Sequence, residues 1–358
     1  MSPFDAALLG AAVALAVPIL LPALGELISQ RAGVMNVGLE GMMLFGAFFG
    51  FLFVERTGSP WLGLLAGTAG GMSLALVMAI LSVTFRADQI VVGVGINLIG
   101  AGVTIFLNRE LFLDRGQVSI DRMGLVSIPV LSDIPGVGKP LFDQTIVTYL
   151  TYLLIPAIAW ALYRSRWGLA VRGSGELPEA VETAGINVNV VRYSAVLTAG
   201  LLAGLAGAFL TVVQVGIFVE GMTGGRGFLA LAAVVFGKWT LRGTIGAAML
   251  FGAADALQLR LQNASEVPGS VWYVLATIIL AIALVLASRR GFIVKKAVPP
   301  IVIALIIAAI GVSGASLTVP AQLWLALPYL LSLAALAGLV GHARVPTALA
   351  DPFDRKAI

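Results

Sequence analysis

The stretch Trp61-Leu-Gly-Leu-Leu-Ala-Gly-Thr-Ala-Gly-Gly-Met-Ser-Leu-Ala-Leu-Val-Met-Ala-Ile-Leu-Ser-Val-Thr84 contains no charged residue. A hydrocarbon core about 30 Å thick is crossed by roughly 20 apolar residues in a helix, and this run meets that length. Runs of the same kind recur at 6–28, 33–54, 90–108, 145–163, 190–213, 271–288, 297–313 and 323–341. The stretch 228–260 is also apolar, but Lys238, Trp239, Arg242 and Gly243 interrupt it. It reads either as two short helices or as one re-entrant pair. The fold class that follows is all-α, a polytopic transmembrane helix bundle of about 9–11 spans with a broken or re-entrant pair near 228–260.

Composition agrees. Of 358 residues, 59% are hydrophobic and 11% charged, against about 25% charged in a soluble globular chain. Too little charge is present to cover the surface of a water-soluble enzyme, so that class is excluded. The absence of cysteine excludes disulfides, thiolate metal sites and a thiol nucleophile. A single histidine, His342, leaves no basis for histidine metal binding or acid–base catalysis. No catalytic residue and no metal ligand is therefore assigned. The net charge of +4 sits in short basic clusters between apolar runs, an arrangement that fits a membrane and not nucleic acid. Met1–Asp5 carries no Lys or Arg and leads through an apolar run into another span, unlike a signal peptide.

The clusters set an orientation. Arg164, Arg166, Arg172 and Arg192 flank one connection, Arg289, Arg290, Lys295 and Lys296 another, and Arg344, Arg355 and Lys356 lie in the tail. Basic residues concentrate in cytoplasmic loops, which predicts a multi-pass protein of a bacterial-type cytoplasmic membrane with its N-terminus outside and its C-terminus inside. Arg31 and Arg86 then fall inside. The whole chain, 1–358, reads as one transmembrane domain with an external loop at 109–144 and a cytoplasmic loop at 164–192. The external loop is rich in turn residues (Gly116, Pro129, Pro135, Gly136, Gly138, Pro140) and is expected to form a cap. Its Gly136-Val-Gly138-Lys139-Pro140 lacks the spacing and the hydroxyl of a Walker loop.

Polar residues inside apolar runs carry a cost of a few kcal/mol and mark a role. Asn36 and Glu40, in Gln30-Arg-Ala-Gly-Val-Met-Asn36-Val-Gly38-Leu-Glu40-Gly41, lie on one face if the segment is helical, although Gly33, Gly38 and Gly41 weaken a continuous helix. They read as the lining of a translocation path at a broken helix, or as groups that bond backbone and lock two helices together. Asn97 and Gln214 are weaker path candidates, since amides commonly bridge membrane helices. Asp255 is expected to end a helix near the outer face. The pairs Gly46/Gly50, Gly67/Gly71 and Gly200/Gly204 have the spacing that lets helices approach closely in lipid.

Between two long runs lies Arg172-Gly-Ser-Gly-Glu176-Leu-Pro178-Glu179-Ala180-Val181-Glu-Thr-Ala184-Gly185. Pro178 suits a first helical turn, Glu179 the positive end of a helix, and Gly185 a stop. The spacing predicts about two turns with Ala180, Val181 and Ala184 on one face. A helix this short is not stable alone in water. It either docks into a separate motor subunit or packs on the chain's own surface.

This loop resembles the cytoplasmic coupling loop of ABC-importer permeases of the branched-chain amino acid and ribose type. Gly33-Val-Met-Asn36-Val-Gly38-Leu-Glu40-Gly41-Met42-Met43 and Gly225-Arg226-Gly227-Phe228 through Phe236-Gly237-Lys238-Trp239 resemble its nucleoside and simple-sugar branch. Leu327-Pro328-Tyr329-Leu330 and Ala337-Gly338-Leu339-Val340-Gly341 fit the same branch, while Gln30 and His342 depart from it. The resemblance implies a permease subunit, not an enzyme, that works with a second related permease. A cytoplasmic ATPase that uses the ATP would drive it, and an extracytoplasmic binding lipoprotein or periplasmic protein would deliver nucleoside or simple sugar. No cofactor binds the chain itself; its surroundings are lipid, and no nucleic acid is involved. The resemblance assigns ATPase coupling to Arg172, Glu176, Pro178, Glu179, Ala180, Val181, Ala184 and Gly185. The competing expectation is an ion-coupled secondary transporter in which Glu40 or Asp255 titrates.

Overall fold

The structure is a computed structural model that describes residues 6–112, 118–262 and 344–354. The runs at 271–288, 297–313 and 323–341, the motifs at 327–330 and 337–341, and His342 lie outside the described residues.

Helix α1 (Ala6–Arg31) is the central post. Its Ala16, Ile19, Leu21, Ala23 and Leu24 have no exposed surface. Pro18 and Pro22 lie within it, tolerated because neighbouring helices satisfy the freed backbone groups. After Arg31 the chain does not run straight into the next helix. Gly33, at φ +90°, turns it back, and the Val34 N–H and Ser29 carbonyl, then the Ser29 hydroxyl and Val34 carbonyl, pair across the turn. Residues 32–38 thus double back along the end of α1, and α2 (Leu39–Thr57) starts inside the bundle.

Gly58, at φ +69°, closes α2, and Pro60 opens α3 (Pro60–Ala79), which continues as a π-helical turn over Ile80–Thr84. Asp88 starts α4 (Gln89–Phe112) by accepting from the Ile90 and Val91 N–H groups. The loop that follows contains a feature not foreseen: strands β1 (Leu125–Ser127) and β2 (Asp143–Thr145) pair antiparallel, with Val126 opposite Gln144, around a short helix α5 (Gly138–Phe142). Helix α6 (Ile146–Arg164) leads to α7 (Arg166–Glu176) and α8 (Pro178–Thr183). Helix α9 (Val188–Ala208) is extended by a π-helical stretch, Phe209–Val215, that stops at Gly216.

The interrupted stretch resolves into α10 (Arg226–Phe236) and α11 (Leu241–Gln262). At 1.5 Å per residue α10 is about 16 Å long, half of what a crossing needs, whereas α11 is long enough. The turn between them places Lys238 and Trp239 at φ 54°. Asp255 lies inside α11, not at its end. Five helical segments among the described residues have the length and composition to cross a membrane: Ala7–Arg31, Pro60–Thr84, Gln89–Phe112, Ile146–Arg164 and Val188–Val215. Helix α2 also has the length but carries Glu40, Glu55 and Arg56.

The three glycine pairs face one another where α2, α3 and α9 cross. A Cβ on Gly46 would lie 2.2 Å from the Gly204 carbonyl oxygen, and one on Gly67 would lie 2.4 Å from that of Gly46. Backbone meets backbone here, the contact that small residues allow in lipid.

Candidate functional site

The first turn of a helix leaves N–H groups without internal partners. At α10 the residue that starts the helix is Gly225, φ +82°, with no side chain to cap it. Glu40, from the first turn of α2, supplies the cap. Its Oε1 accepts from the Thr223 hydroxyl at 2.6 Å and the Gly225 N–H at 2.8 Å, and its Oε2 from the Gly227 N–H at 2.7 Å. A carboxylate at the positive end of a helix dipole is favourably placed. The approach is possible because residue 227 is glycine: a Cβ there would sit 2.5 Å from the Glu40 nitrogen.

Helix α4 closes the other side. Asn97 Oδ1 accepts from the Gly41 N–H at 2.8 Å and its Nδ2 donates to the Val37 carbonyl at 3.0 Å. Gly93 and Gly100 let α4 lie against Val37 and Gly41. Asn36 is buried, and its Oδ1 accepts from the Gly38 N–H at 3.0 Å. That local bond replaces a helical one, so Asn36 precedes α2 and does not share a helix face with Glu40. Gln214 lies apart from these three; its Nε2 donates to the Ala14 carbonyl at 2.9 Å and ties the end of α9 to α1.

A second buried chain of polar groups runs beside this joint. Glu26, fully buried, accepts on Oε1 from Gln30 Nε2 at 2.7 Å and from the Asn36 N–H at 3.0 Å. Gln30 Oε1 in turn accepts from the Trp239 indole at 2.6 Å, and Arg31 donates to the Trp239 carbonyl. The second oxygen of Glu26 has no hydrogen-bond partner. Sequence reasoning passed over Glu26, although a carboxylate inside the first apolar run is the same signal that singled out Glu40. Arg226 and Asp255 face each other at 3.5 Å.

At the end of the bundle that carries Arg31 and Arg166, α7 is seated on the loop after α1. The Ser174 hydroxyl donates to the Ala32 carbonyl at 3.0 Å, and a Cβ on Gly175 would lie 2.3 Å from the Arg31 carbonyl oxygen. Glu176 is 3.9 Å from the Arg31 guanidinium. Arg172 lies over the Tyr163 ring at 5.6 Å. Pro178 is the first residue of α8 and Glu179 lies in its first turn. Gly185, φ +83°, follows α8, and its N–H bonds the Glu182 carbonyl. The side chains divide differently from the spacing argument. Ala180 and Ala184 are exposed, but Val181 is buried against Val188 and Phe353, because a two-turn helix on a surface must turn its larger apolar residue inward.

Apolar helices of spanning length, a half-length helix starting inside the bundle and polar groups bonded to one another there define a multi-pass helical membrane protein with a transporter's architecture. The chain belongs to the family described as branched-chain amino acid transport system, permease component, which matches residues 8–284. It is 43% identical over 266 residues to a putative glucose ABC transporter permease, TsgC13, of Haloferax volcanii (73% of this chain, 80% of the relative). It is 38% identical over 298 residues to the guanosine ABC transporter permease NupQ of Bacillus subtilis (79% and 91%). It is 36% identical over 282 residues to the nucleoside ABC transporter permease NupC of Lactococcus lactis (75% and 89%). More distant likeness extends to a second permease from each of these two bacteria, NupP and NupB. No solved structure matches. The chain is thus a permease component of an ABC transporter, a transport subunit and not an enzyme.

Proposed function

We propose that the chain is one of two related permeases in an ATP-driven importer of nucleosides or simple sugars. A cytoplasmic ATPase works on it from the end that carries α7 and α8, and an extracytoplasmic binding protein delivers substrate at the end that carries β1 and β2. The N-terminus is then outside and the C-terminus inside. The names of the relatives support the substrate class, and the occurrence of two similar permeases in each of two bacteria supports the pairing.

The observation that carries the reading is the connection between α8 and Glu40. Helix α8 exposes Ala180 and Ala184 and follows α7 after one residue; α7 is bonded to Ala32, and the loop from Ala32 runs directly into the turn that holds Glu40. A force applied to α8 from outside the bundle therefore has a short route into it. Arg172, Glu176, Pro178, Glu179 and Gly185 shape and hold this lever, Val181 seats it, and Ala180 and Ala184 form its contact face. Asn36, Glu40, Asn97 and Gln214 act on the path by fixing the elements that border it.

The test is uptake of labelled nucleoside by cells expressing this chain, alone and with the ATPase, second permease and binding protein. Uptake only with the full set, abolished by depleting ATP, is the expected result. Uptake by the chain alone that collapses with an ion gradient would overturn the reading and favour a secondary carrier.

A further inference from the structure

The segment Arg344–Asp354 lies beyond the residues matched to the family. It crosses the same end of the bundle as α7 and α8 as a strap with a turn at 347–350. The Ala348 N–H donates to the Gly175 carbonyl at 2.9 Å, at the end of α7, and the Thr347 hydroxyl donates to Glu176 at 3.1 Å. The Ala350 N–H donates to the Gly33 carbonyl at 3.0 Å, at the turn after α1. Ala350 has φ +66°, a conformation that an alanine holds only where its surroundings enforce it. Arg192, buried in α9, donates to the Asp351 carbonyl at 2.8 Å, and Arg86 pairs with Asp354 at 2.7 Å. Phe353 is only 6% exposed and fills the space between Val181 of α8 and Val188 of α9.

The placement is selective. A cleft of about 390 Å³ remains between the strap and the first turn of α8, and Phe353 packs against Val181 of that helix. From there the chain returns through Asp351 and Ala350 to Gly33, seven residues before Glu40. The strap therefore joins the two ends of the lever, the helix that a motor would push and the turn that carries the push inward, by a route beside α7, to which it is also bonded at Gly175 and Glu176.

We propose that the strap is a positioning element: Phe353 sets the seat of α8, and the Ala350 and Asp351 bonds tie that seat to Gly33, so that movement of α8 is passed to the Glu40 turn. The proposal rests on the importer reading. Without the strap, α8 still meets the motor, but its movement is dissipated in the loop around Leu177 and Gly185.

The test uses the full complex reconstituted in vesicles, with Phe353→Ala, Phe353→Leu and Ala350→Pro. Proline cannot adopt the φ of Ala350 and has no N–H to give Gly33, so this variant breaks the tie and leaves Phe353 in the chain. Membrane level, ATPase copurification, ATP hydrolysis and uptake are measured together. Expected for Phe353→Ala and Ala350→Pro are normal membrane level and copurification, with ATP hydrolysed per substrate moved raised about tenfold, within the usual range of coupling between sites. Phe353→Leu should restore most of the coupling. A merely structural strap would lower the amount of protein and leave that ratio unchanged. A ratio within about twofold of wild type in both variants, too small for a coupling free energy of the usual size, overturns the proposal, as does loss of both variants from the membrane. Absence of ATP-driven uptake by the wild-type complex overturns the importer reading and the strap's role with it. ATP-driven wild-type uptake with indifferent variants overturns the strap alone.

Discussion

Glu40→Gln is the substitution whose outcome the geometry determines most closely. The side chain keeps its length, and the amide oxygen can replace Oε1 and accept from Thr223 and Gly225. The amide nitrogen then faces the Gly227 N–H, a donor against a donor, where Oε2 now accepts at 2.7 Å. Hydrogen bonds to a charged group contribute about 1.5–3 kcal/mol each and neutral ones about 1 kcal/mol. Replacing three of the former by two of the latter removes about 4 kcal/mol, and the lost attraction of the α10 dipole adds up to about 1 kcal/mol. Relief from holding a half-buried carboxylate offsets about 1–2 kcal/mol. The net loss is about 3 kcal/mol.

At about 2.1 cal/mol/K of unfolding entropy per residue, 1 kcal/mol moves the melting temperature of a 358-residue chain by about 1.3 °C, so the shift should be about 4 °C. The assay is thermal unfolding in nanodiscs at one scan rate, because unfolding of such proteins is often irreversible and rate-dependent. Thr223→Val should cost about half as much, and the double variant less than the sum, since Glu40→Gln already weakens, from charged to neutral, the bond that Thr223→Val removes. A Glu40→Gln variant that melts within about 1 °C of wild type, or strict additivity with Thr223→Val, would refute the capping account.

Glu26→Gln should behave in the opposite way. The amide oxygen keeps both existing donors and the substitution replaces an oxygen that has no partner, so stability should change by less than about 1 kcal/mol, whereas Glu26→Leu should lose about 2–3 kcal/mol by orphaning two donors; equal losses on unfolding would contradict this. Gly204→Ala should cost about 2–3 kcal/mol by overpacking the α2–α3–α9 crossing, where its Cβ would lie 2.5 Å from the Gly67 carbonyl oxygen. Gly102→Ala, with nothing within 4 Å, should be close to neutral, and a comparison of melting temperatures decides between them. The Arg109 guanidinium, hydrogen-bonded to both Glu220 oxygens at 3.0 and 3.1 Å, holds that carboxyl below its ordinary value of 4.5. The tie therefore contributes above the unfolded-state pKa and is lost as pH falls through the lowered one. Wild type and Glu220→Gln should differ slightly at neutral pH and converge in acid; a difference independent of pH would contradict the sign.

Much of the bundle is legible from length and hydropathy, since α1, α3, α4, α6 and α9 fall on the apolar runs at 6–28, 61–84, 90–108, 145–163 and 190–213. The displaced start of α2 is not, because it depends on Gly33 turning the chain and on Ser29 and Glu26 catching it, contacts made across the turn. Glycines 33, 38 and 41 mark a weak helix but do not say which way the chain goes. The partner of Glu40 is equally hidden. Thr223, Gly225 and Gly227 are about 185 residues away, and only a folded chain shows that the glycine-rich segment exposes N–H groups at a helix start. The inward turn of Val181 depends on Phe353, which the spacing within 178–185 cannot contain.

These contacts bear on how such a chain can be driven. In the ion-coupled alternative considered from the sequence, Glu40 or Asp255 binds and releases the ion. Glu40 is held by three donors and Asp255 faces Arg226, so among the described residues the two carboxylates first considered for that role are already committed. Glu26 retains an oxygen without a hydrogen-bond partner, but it lies fully buried beneath Asn36 and Gln30. If ions moved through it, Glu26→Gln would stop transport while leaving the fold intact. If the work enters at α8, the same variant should transport normally, and Glu40→Gln should transport poorly because the turn that receives the motion has lost its bond to Gly227 and part of its hold on α10. The two glutamine substitutions together separate an internal from an applied source of energy.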